Sequence, residues 1–194
     1  MRDSPLTGTP GHTAPMPKLA TPALQTFIDG WENYQQLLLT ALRPLTDEQM
    51  ALKPAPHQWA VWQIASHMAG ARMYWFHDFL KECDPALRDH FRVAQTTVPG
   101  LSLIDAGWED DERRPRTAAE VVDAFERTWA AISGCFARWT PAELKVTYRR
   151  KLRTGGEQVR SREWVIWHLI EHELHHGGEI SNILGSNGMA APDL

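Results

Sequence analysis

Four long segments repeat apolar residues every three or four positions, and this period of the amphipathic α-helix limits the possible folds more than any other feature. It predicts helices over residues 22–42, 61–80, 117–139 and 162–184. Thr117 followed by Glu120 indicates a capping box, and Ser161 and Gly185 bound the last helix. No segment alternates apolar and polar residues over a sustained length. The predicted fold class is therefore all-α, a four-helix bundle.

The lengths of the connecting segments indicate how the helices are joined. Links 43–60 and 140–160 are short enough to connect antiparallel neighbours. The middle link, 81–116, is long and polar, so it could cross the length of the bundle and make the second and third helices parallel. Gly155 and Gly156 are compatible with a small irregular hairpin before the last helix.

Composition and net charge limit which domain organisation and which partners the sequence predicts. The chain has 194 residues, of which residues 1–19, rich in Pro, Thr and Gly, are predicted to be a flexible tail and residues 20–194 a single domain. A net charge of -4 gives no general reason to bind nucleic acid or an anionic membrane. No apolar run is suited to a signal peptide or to a membrane span. Two distant cysteines do not make a disulfide framework, so we expect a cytoplasmic protein.

The predicted last helix contains the run WHLIEHELHH, with His168, His172, His175 and His176. Residues four apart lie on one helix face, where two imidazoles can meet one ion. His168 with His172, and His172 with His176, both have this spacing. A polar, solvated helix face is the alternative interpretation.

The same run also matches H-E-x-x-H, a zinc-protease signature. The extended signature needs Gly and His where this chain has Glu179 and Asn182, so we interpret the match as accidental. Glu173 could act as a base or support a ligand, although a solvent-facing helical glutamate is the more ordinary interpretation.

His67 lies in a predominantly apolar predicted helix, where a histidine is more often a hydrogen-bonded core residue than a ligand. The second and fourth helices, if they are neighbours, would bring His67 to the height of His172 and His176 in either relative direction. Three protein ligands would leave an open coordination position, which is typical of a catalytic metal site.

Two blocks of sequence together resemble a known family. W-x-x-W-Q-I-A-S-H-M-A-G-A-R, which ends at Arg72, and W-V-I-W-H-L-I-E-H-E-L-H-H-G-G-E-I are similar to the DinB/YfiT-like superfamily, which is distinct from the lesion-bypass polymerase of the same name. The resemblance implies an up-down-down-up bundle, frequent homodimers, and a nickel, zinc or similar divalent ion on His67, His172 and His176. Many relatives carry H-H-R-G where this chain has His175-His176-Gly177-Gly178, so Gly177 replaces the arginine.

The resemblance also implies candidate activities. Some members transfer low-molecular-weight thiols such as bacillithiol, mycothiol or glutathione to electrophiles, and an open metal site can stabilise the attacking thiolate. The same site could instead activate water and hydrolyse a small-molecule substrate. A non-catalytic metal-binding stress-response protein and a metal-free structural bundle are the remaining alternatives.

Other residues near the histidine blocks have two possible roles each. Arg72 could anchor an acidic substrate group, although a surface salt bridge is the simpler interpretation. Trp75 is expected in the core or in a pocket wall, and His168 is expected to support a ligand or line the pocket. The basic run that includes Arg149 and Arg150 could guide an anionic thiol, with a solvated hairpin as the alternative.

Overall fold

The computed structural model of the protein describes residues 19, 21–93, 106–152 and 155–192. Most of these residues are helical. The helices are α1 (Gln25–Leu42, after a 3-10 turn Pro22–Leu24), α2 (Asp47–Met50), α3 (Val61–Met73, continued by a π-helix Tyr74–Phe79), α4 (Pro85–His90), α5 (Ala118–Arg138, after a 3-10 turn Trp108–Asp110), α6 (Pro141–Leu144) and α7 (Arg162–Ser186). The helical prediction is confirmed, and α1, α3, α5 and α7 occupy the four predicted segments.

Local signals explain where these long helices begin. The hydroxyl of Thr117 accepts from the backbone N–H of Glu120, whose carboxylate accepts in return from the N–H of Thr117. The hydroxyl of Ser161 caps α7 by accepting from the N–H of Trp164. Both caps satisfy N–H groups that have no partner within the helix.

The expectation of an all-α fold is wrong in one detail. Two strands, β1 (Thr147–Lys151) and β2 (Glu157–Ser161), form an antiparallel hairpin directly before α7. Gly155 and Gly156 have φ of 84° and 87°, a left-handed conformation that glycine adopts without steric cost. A small hairpin at these glycines was anticipated, but five residues in each strand were too short a stretch for alternation to predict regular strands.

Part of the middle link packs against α3. The 3-10 turn Trp108–Asp110 packs on α3, and Arg92 forms an isolated antiparallel bridge with Gly107. Residues 94–105 lie outside the described part of the chain, so the predicted crossover and the up-down-down-up order stay predictions. The predicted tail also lies outside it except for Leu19, which is buried.

A buried ion pair joins α3 to α7. Arg72 is 0% exposed, and its Nε and Nη2 donate to the two carboxylate oxygens of Glu173 at 2.6 and 2.7 Å. Its Nη1 donates to the side chain of Gln35 at 2.6 Å, and Trp31 Nε1 donates to Glu173 at 2.8 Å. The expectations of a surface salt bridge for Arg72 and of a solvent-facing Glu173 are therefore wrong. Periodicity alone could not show that each charge meets its partner inside the core.

The two cysteines lie together although they are distant in sequence. A hydrogen bond between their side chains raises the pKa of Cys83 and lowers the pKa of Cys135. The guanidinium of Arg138 also contacts the sulfur of Cys135 at 3.5 Å. Both thiols are free in this structure.

Among the helices described, none combines the length and apolar character required to cross a membrane.

We predict that Glu173→Ala lowers the free energy of unfolding by about 3–5 kcal/mol, because it leaves the Arg72 guanidinium buried without its counter-charge. Urea denaturation followed by circular dichroism measures the loss. The control is Glu126→Ala, which removes a pair with Arg43 in which both side chains are more than half exposed and which should cost less than about 1 kcal/mol. Equal losses in the two variants would contradict the structural importance of the buried pair.

Candidate metal centre

Three histidines from two helices meet at one point. His67 lies on α3, and His172 and His176 lie one turn apart on α7. One ring nitrogen from each of the three lies within 4.8 Å of the other two. Nε2 of His67 is 3.0 Å from Nε2 of His172. The structure therefore brings together the three residues that the sequence selected as candidate ligands.

Carboxylates contact the outer nitrogens of two of these rings. Nδ1 of His67 is 2.9 Å from Glu109, and Nδ1 of His176 is 2.7 Å from Glu179. A carboxylate on Nδ1 fixes the orientation of an imidazole and favours the tautomer that keeps Nε2 available for a metal. Nδ1 of His172 is buried with no hydrogen-bond partner among the described residues. Sequence reasoning missed Glu109, which the middle link supplies from the turn Trp108–Asp110.

The donor set suits a divalent ion. Two metal–nitrogen bonds of about 2.1 Å that meet at about 90–110° separate their nitrogens by roughly 3.0–3.4 Å, and the His67–His172 distance lies within this range. Burial, aided by the neighbouring histidines, lowers the pKa of His172 to about 3. Burial also lowers the pKa of His176, against an opposing effect of Glu179. Neutral imidazole is the form that binds metal, so these environments favour ligation.

Aromatic side chains surround the cluster. The Trp59 ring centroid lies 5.0 Å from that of His67 and 6.4 Å from that of His176. His168 lies one turn before His172, with ring centroids 5.9 Å apart, and Trp75 contacts it at 4.9 Å. His168 thus borders the cluster outside the three-nitrogen group. Trp75 is 8% exposed and belongs mainly to the core.

The other residues that the sequence offered for the site do not face the three ring nitrogens. Both carboxylate oxygens of Glu173 face Arg72 and Trp31, so neither is directed to the three ring nitrogens. Arg72 is likewise enclosed in the core, away from any substrate. His175 is exposed on the outer side of α7.

Two cavities border the histidines. The first, of about 250 Å³, is lined by His67 and Glu109 and by Ala71, Tyr74, Arg88 and Phe91. The second, of about 560 Å³, is lined by His176 and Glu179 and by His57, Trp59, Asn182 and Ile183. Each cavity combines apolar walls with a histidine and its carboxylate partner, which is the composition of a small-molecule site.

The fold and this geometry define a class: a mainly helical protein with a candidate three-histidine metal centre. The model of the DinB superfamily matches residues 31–180. The chain belongs to the DinB superfamily, a metal-binding superfamily in general. The resemblance noted in the sequence is confirmed.

Solved structures share this fold. A DinB-like protein from Bacillus cereus ATCC 10987 is 17% identical, with a TM-score of 0.60 over 88% of this chain and 97% of that one. A conserved protein from Enterococcus faecalis is 15% identical, with a TM-score of 0.60 over 80% of this chain and 91% of that one. No curated protein matches the chain.

The structure explains the departure from the H-H-R-G motif. Gly177 stands at the arginine position of the motif, on the buried side of α7. A Cβ atom at Gly177 would overlap the hydroxyl of Tyr34, which is itself largely buried on α1. The missing arginine side chain therefore makes room for Tyr34. Helix α7 continues through both glycines to Ser186, so the glycine pair does not end it.

We predict that the metal-free protein loses stability as the pH falls from about 6.5 towards 3. In this window the unfolded chain protonates His172 while the folded chain, with a pKa of about 3, keeps it neutral, so protons favour unfolding. Urea unfolding at several pH values measures the slope, which should become shallower in His172→Gln. His175→Gln is the control at an exposed position of the same helix. An unchanged slope in His172→Gln would contradict the assignment.

Proposed function

We propose that the protein is a metal-dependent enzyme that holds a zinc or nickel ion on His67, His172 and His176. The observation that supports this proposal is the meeting of three ring nitrogens from α3 and α7 within 4.8 Å. Two of the rings are oriented by carboxylates and two have pKa values lowered by burial. Such an arrangement would be costly to maintain in a purely structural bundle, because buried polar groups need partners.

The proposed reaction is transfer of a low-molecular-weight thiol to a small electrophilic substrate. A divalent ion with only three protein ligands would supply Lewis acidity, which lowers the pKa of a thiol or a water in its open position. The ring of Trp59 packs beside His67 and the ring of Trp75 packs beside His168, so both add apolar surface near the cluster. The cavities beside His67 and His176 give room for a thiol and an electrophile. The proposal includes a cytoplasmic setting, since thiols are kept reduced there.

Removal of one proposed ligand provides the first test. We expect wild-type protein, reconstituted with zinc or nickel, to hold about one equivalent of metal by elemental analysis and His172→Ala to lose tight binding. The adjacent exposed residue provides a matched control, since His175→Ala should retain the metal. Circular dichroism checks that each variant stays folded. Wild type with less than about half an equivalent, or His172→Ala with a full one, would overturn the proposed centre.

Activity separates the chemical alternatives. In the same experiment, metal-loaded wild type is assayed with several thiols and 1-chloro-2,4-dinitrobenzene, and thiol-dependent product formation that is lost in His172→Ala supports transfer. Metal-dependent cleavage of an ester without thiol would replace the proposal by hydrolysis. A fully loaded protein inactive in both assays would indicate a non-catalytic metal-binding protein.

We also propose that the chain forms a homodimer. Apolar side chains on α1 and α7 are unusually exposed: Phe27 at 61%, Trp167 at 59% and Leu174 at 45%. Phe27 and Leu174 line one groove between the two helices, with Trp31 and Ile170 at its base. A contiguous exposed apolar patch is typical of an interaction surface.

We expect Phe27→Lys combined with Leu174→Lys to convert the dimer into a monomer, because the new charges would be buried in the interface. Sedimentation velocity measures the change. Asp29→Lys, at an exposed position on the opposite side of α1 from Phe27, is the control and should leave the dimer intact. A monomeric wild type would refute this part of the proposal.

A further inference from the structure

Two arginines share one face of the β-hairpin. In the strand register, Arg150 lies opposite Gln158 and Arg160 lies opposite Tyr148. Because Gln158 and Arg160 are two residues apart on β2, Arg150 and Arg160 are diagonal neighbours on the same face. Like charges placed this closely across a strand pair repel one another.

Neither arginine has a carboxylate partner among the described residues. Nε of Arg150 donates to the neutral amide oxygen of Gln158 at 2.6 Å, and Nη1 of Arg160 donates to the carbonyl of Val159 at 2.9 Å. Nε of Arg160 is buried and has no hydrogen-bond partner in the part of the chain that the structure describes. Arg149, on the opposite face of the same strand, differs because it forms an ion pair with Glu157 at 2.7 Å. The hairpin thus pairs Arg149 with a carboxylate on one face, whereas Arg150 and Arg160 lie together on the other face without one among the described residues.

Aromatic rings fix these cations in place. The guanidinium of Arg150 lies 5.2 Å from the ring centroid of Tyr74 and 5.5 Å from that of Trp75. The guanidinium of Arg160 lies 4.4 Å from the ring centroid of Trp164. These cation–π contacts hold the planar groups but accept none of their in-plane hydrogen bonds. Burial, followed by the repulsion of Arg160, lowers the pKa of Arg150, so the pair is stabilised by any anion it binds.

A line of stacked rings joins the arginines to the histidine cluster. Trp164 stacks on His168 with centroids 4.8 Å apart and planes 15° apart, and His168 leads to His172 at 5.9 Å. Eight residues of helix separate Trp164 from His172, a rise of about 12 Å. The carboxylate of Glu171, which is exposed, lies 3.7 Å from His168 rather than beside the arginines.

We propose that Arg150 and Arg160 bind the anionic group, a carboxylate or a phosphate, of the small molecule whose reacting atom reaches the histidine cluster. This inference rests on the proposed function and names its substrate class: an elongated, negatively charged molecule with roughly 10 Å between its anionic and reacting ends. Arginine suits this role because its planar fork matches carboxylate and phosphate oxygens in a bidentate geometry. Arg160 and His168 cover the Trp164 ring, so the body of the molecule would pass along the edges of the Trp164 and His168 rings between its two ends.

Calorimetric titration of the metal-free, full-length protein tests the anion site without any contribution from a metal. One probe is S-methylglutathione, which keeps both carboxylates of the tripeptide but has no thiol, and the other is inorganic phosphate. The test variant is Arg150→Gln with Arg160→Gln. The control is Arg149→Gln, which removes one positive charge from the other face of the hairpin. Circular dichroism establishes that both variants keep the helical content of wild type.

We expect wild type and Arg149→Gln to bind at least one probe with equal Kd, and the double variant to bind it about tenfold or more weakly, as loss of charged hydrogen bonds predicts. The better-bound probe identifies the anion as a carboxylate or a phosphate. The inference is overturned if neither probe binds wild type, if the double variant binds as wild type does, or if Arg149→Gln weakens binding equally.

A second titration separates this inference from the proposed function. Cobalt-loaded wild type and the double variant are titrated with glutathione, and the thiolate-to-cobalt absorption band reports the thiol at the metal. We expect the band in both proteins at saturation, with a higher apparent Kd in the double variant. Anion binding without metal uptake would refute the proposed function and leave the arginine site standing. Metal and thiol binding with equal Kd in both proteins would refute the arginine site alone.

Discussion

The charge pair between Arg72 and Glu173 fixes how α3 and α7 sit against each other. Both side chains are almost completely buried, and both carboxylate oxygens receive donors from the guanidinium. An uncompensated charge in this position would be strongly destabilising, so a shift of one helix along the other is resisted. Glu173 directly follows His172, and Arg72 lies on the same helix as His67. The pair therefore also sets the distance between the imidazoles that face one another across the two helices.

The polar network extends this restraint to the other long helices. Gln35 and Trp31 on α1 contact the pair, and Thr128 on α5 lies 3.3 Å from the guanidinium. All four long helices thus meet at one set of directional hydrogen bonds inside an otherwise apolar core. Directional bonds specify one arrangement, whereas apolar contacts alone tolerate several of similar volume. This property suits a protein whose proposed centre needs its ligand atoms positioned to within a fraction of an ångström.

Burial and neighbouring charges act on both the histidines and the hairpin arginines, but they favour ligands of opposite charge at the two places. Burial disfavours charge on His172 and His176, which leaves neutral rings and a place for a cation. Arg150 stays close to a second arginine and, within the described ranges, has only neutral partners, which leaves a place for an anion. The ring surface of Trp164 and His168 lies between these two places. One elongated molecule, negatively charged at one end and metal-seeking at the other, would match both.

Helix positions and the candidate ligands were readable from the sequence, because periodicity, caps and the i,i+4 spacing of histidines depend on residues within a few turns. His67 was recognised as a candidate ligand because the histidine block of the last helix offered it possible co-ligands. The DinB superfamily match spans both blocks and supports their combination. Other features depend on pairings between distant residues: Glu109 reaches His67 from the middle link, and Gly177 faces Tyr34. The packing of segments far apart in the chain decided whether Arg72 was exposed or buried. The same packing decided which hairpin arginines lacked a carboxylate partner among the described residues. No local pattern encodes that packing.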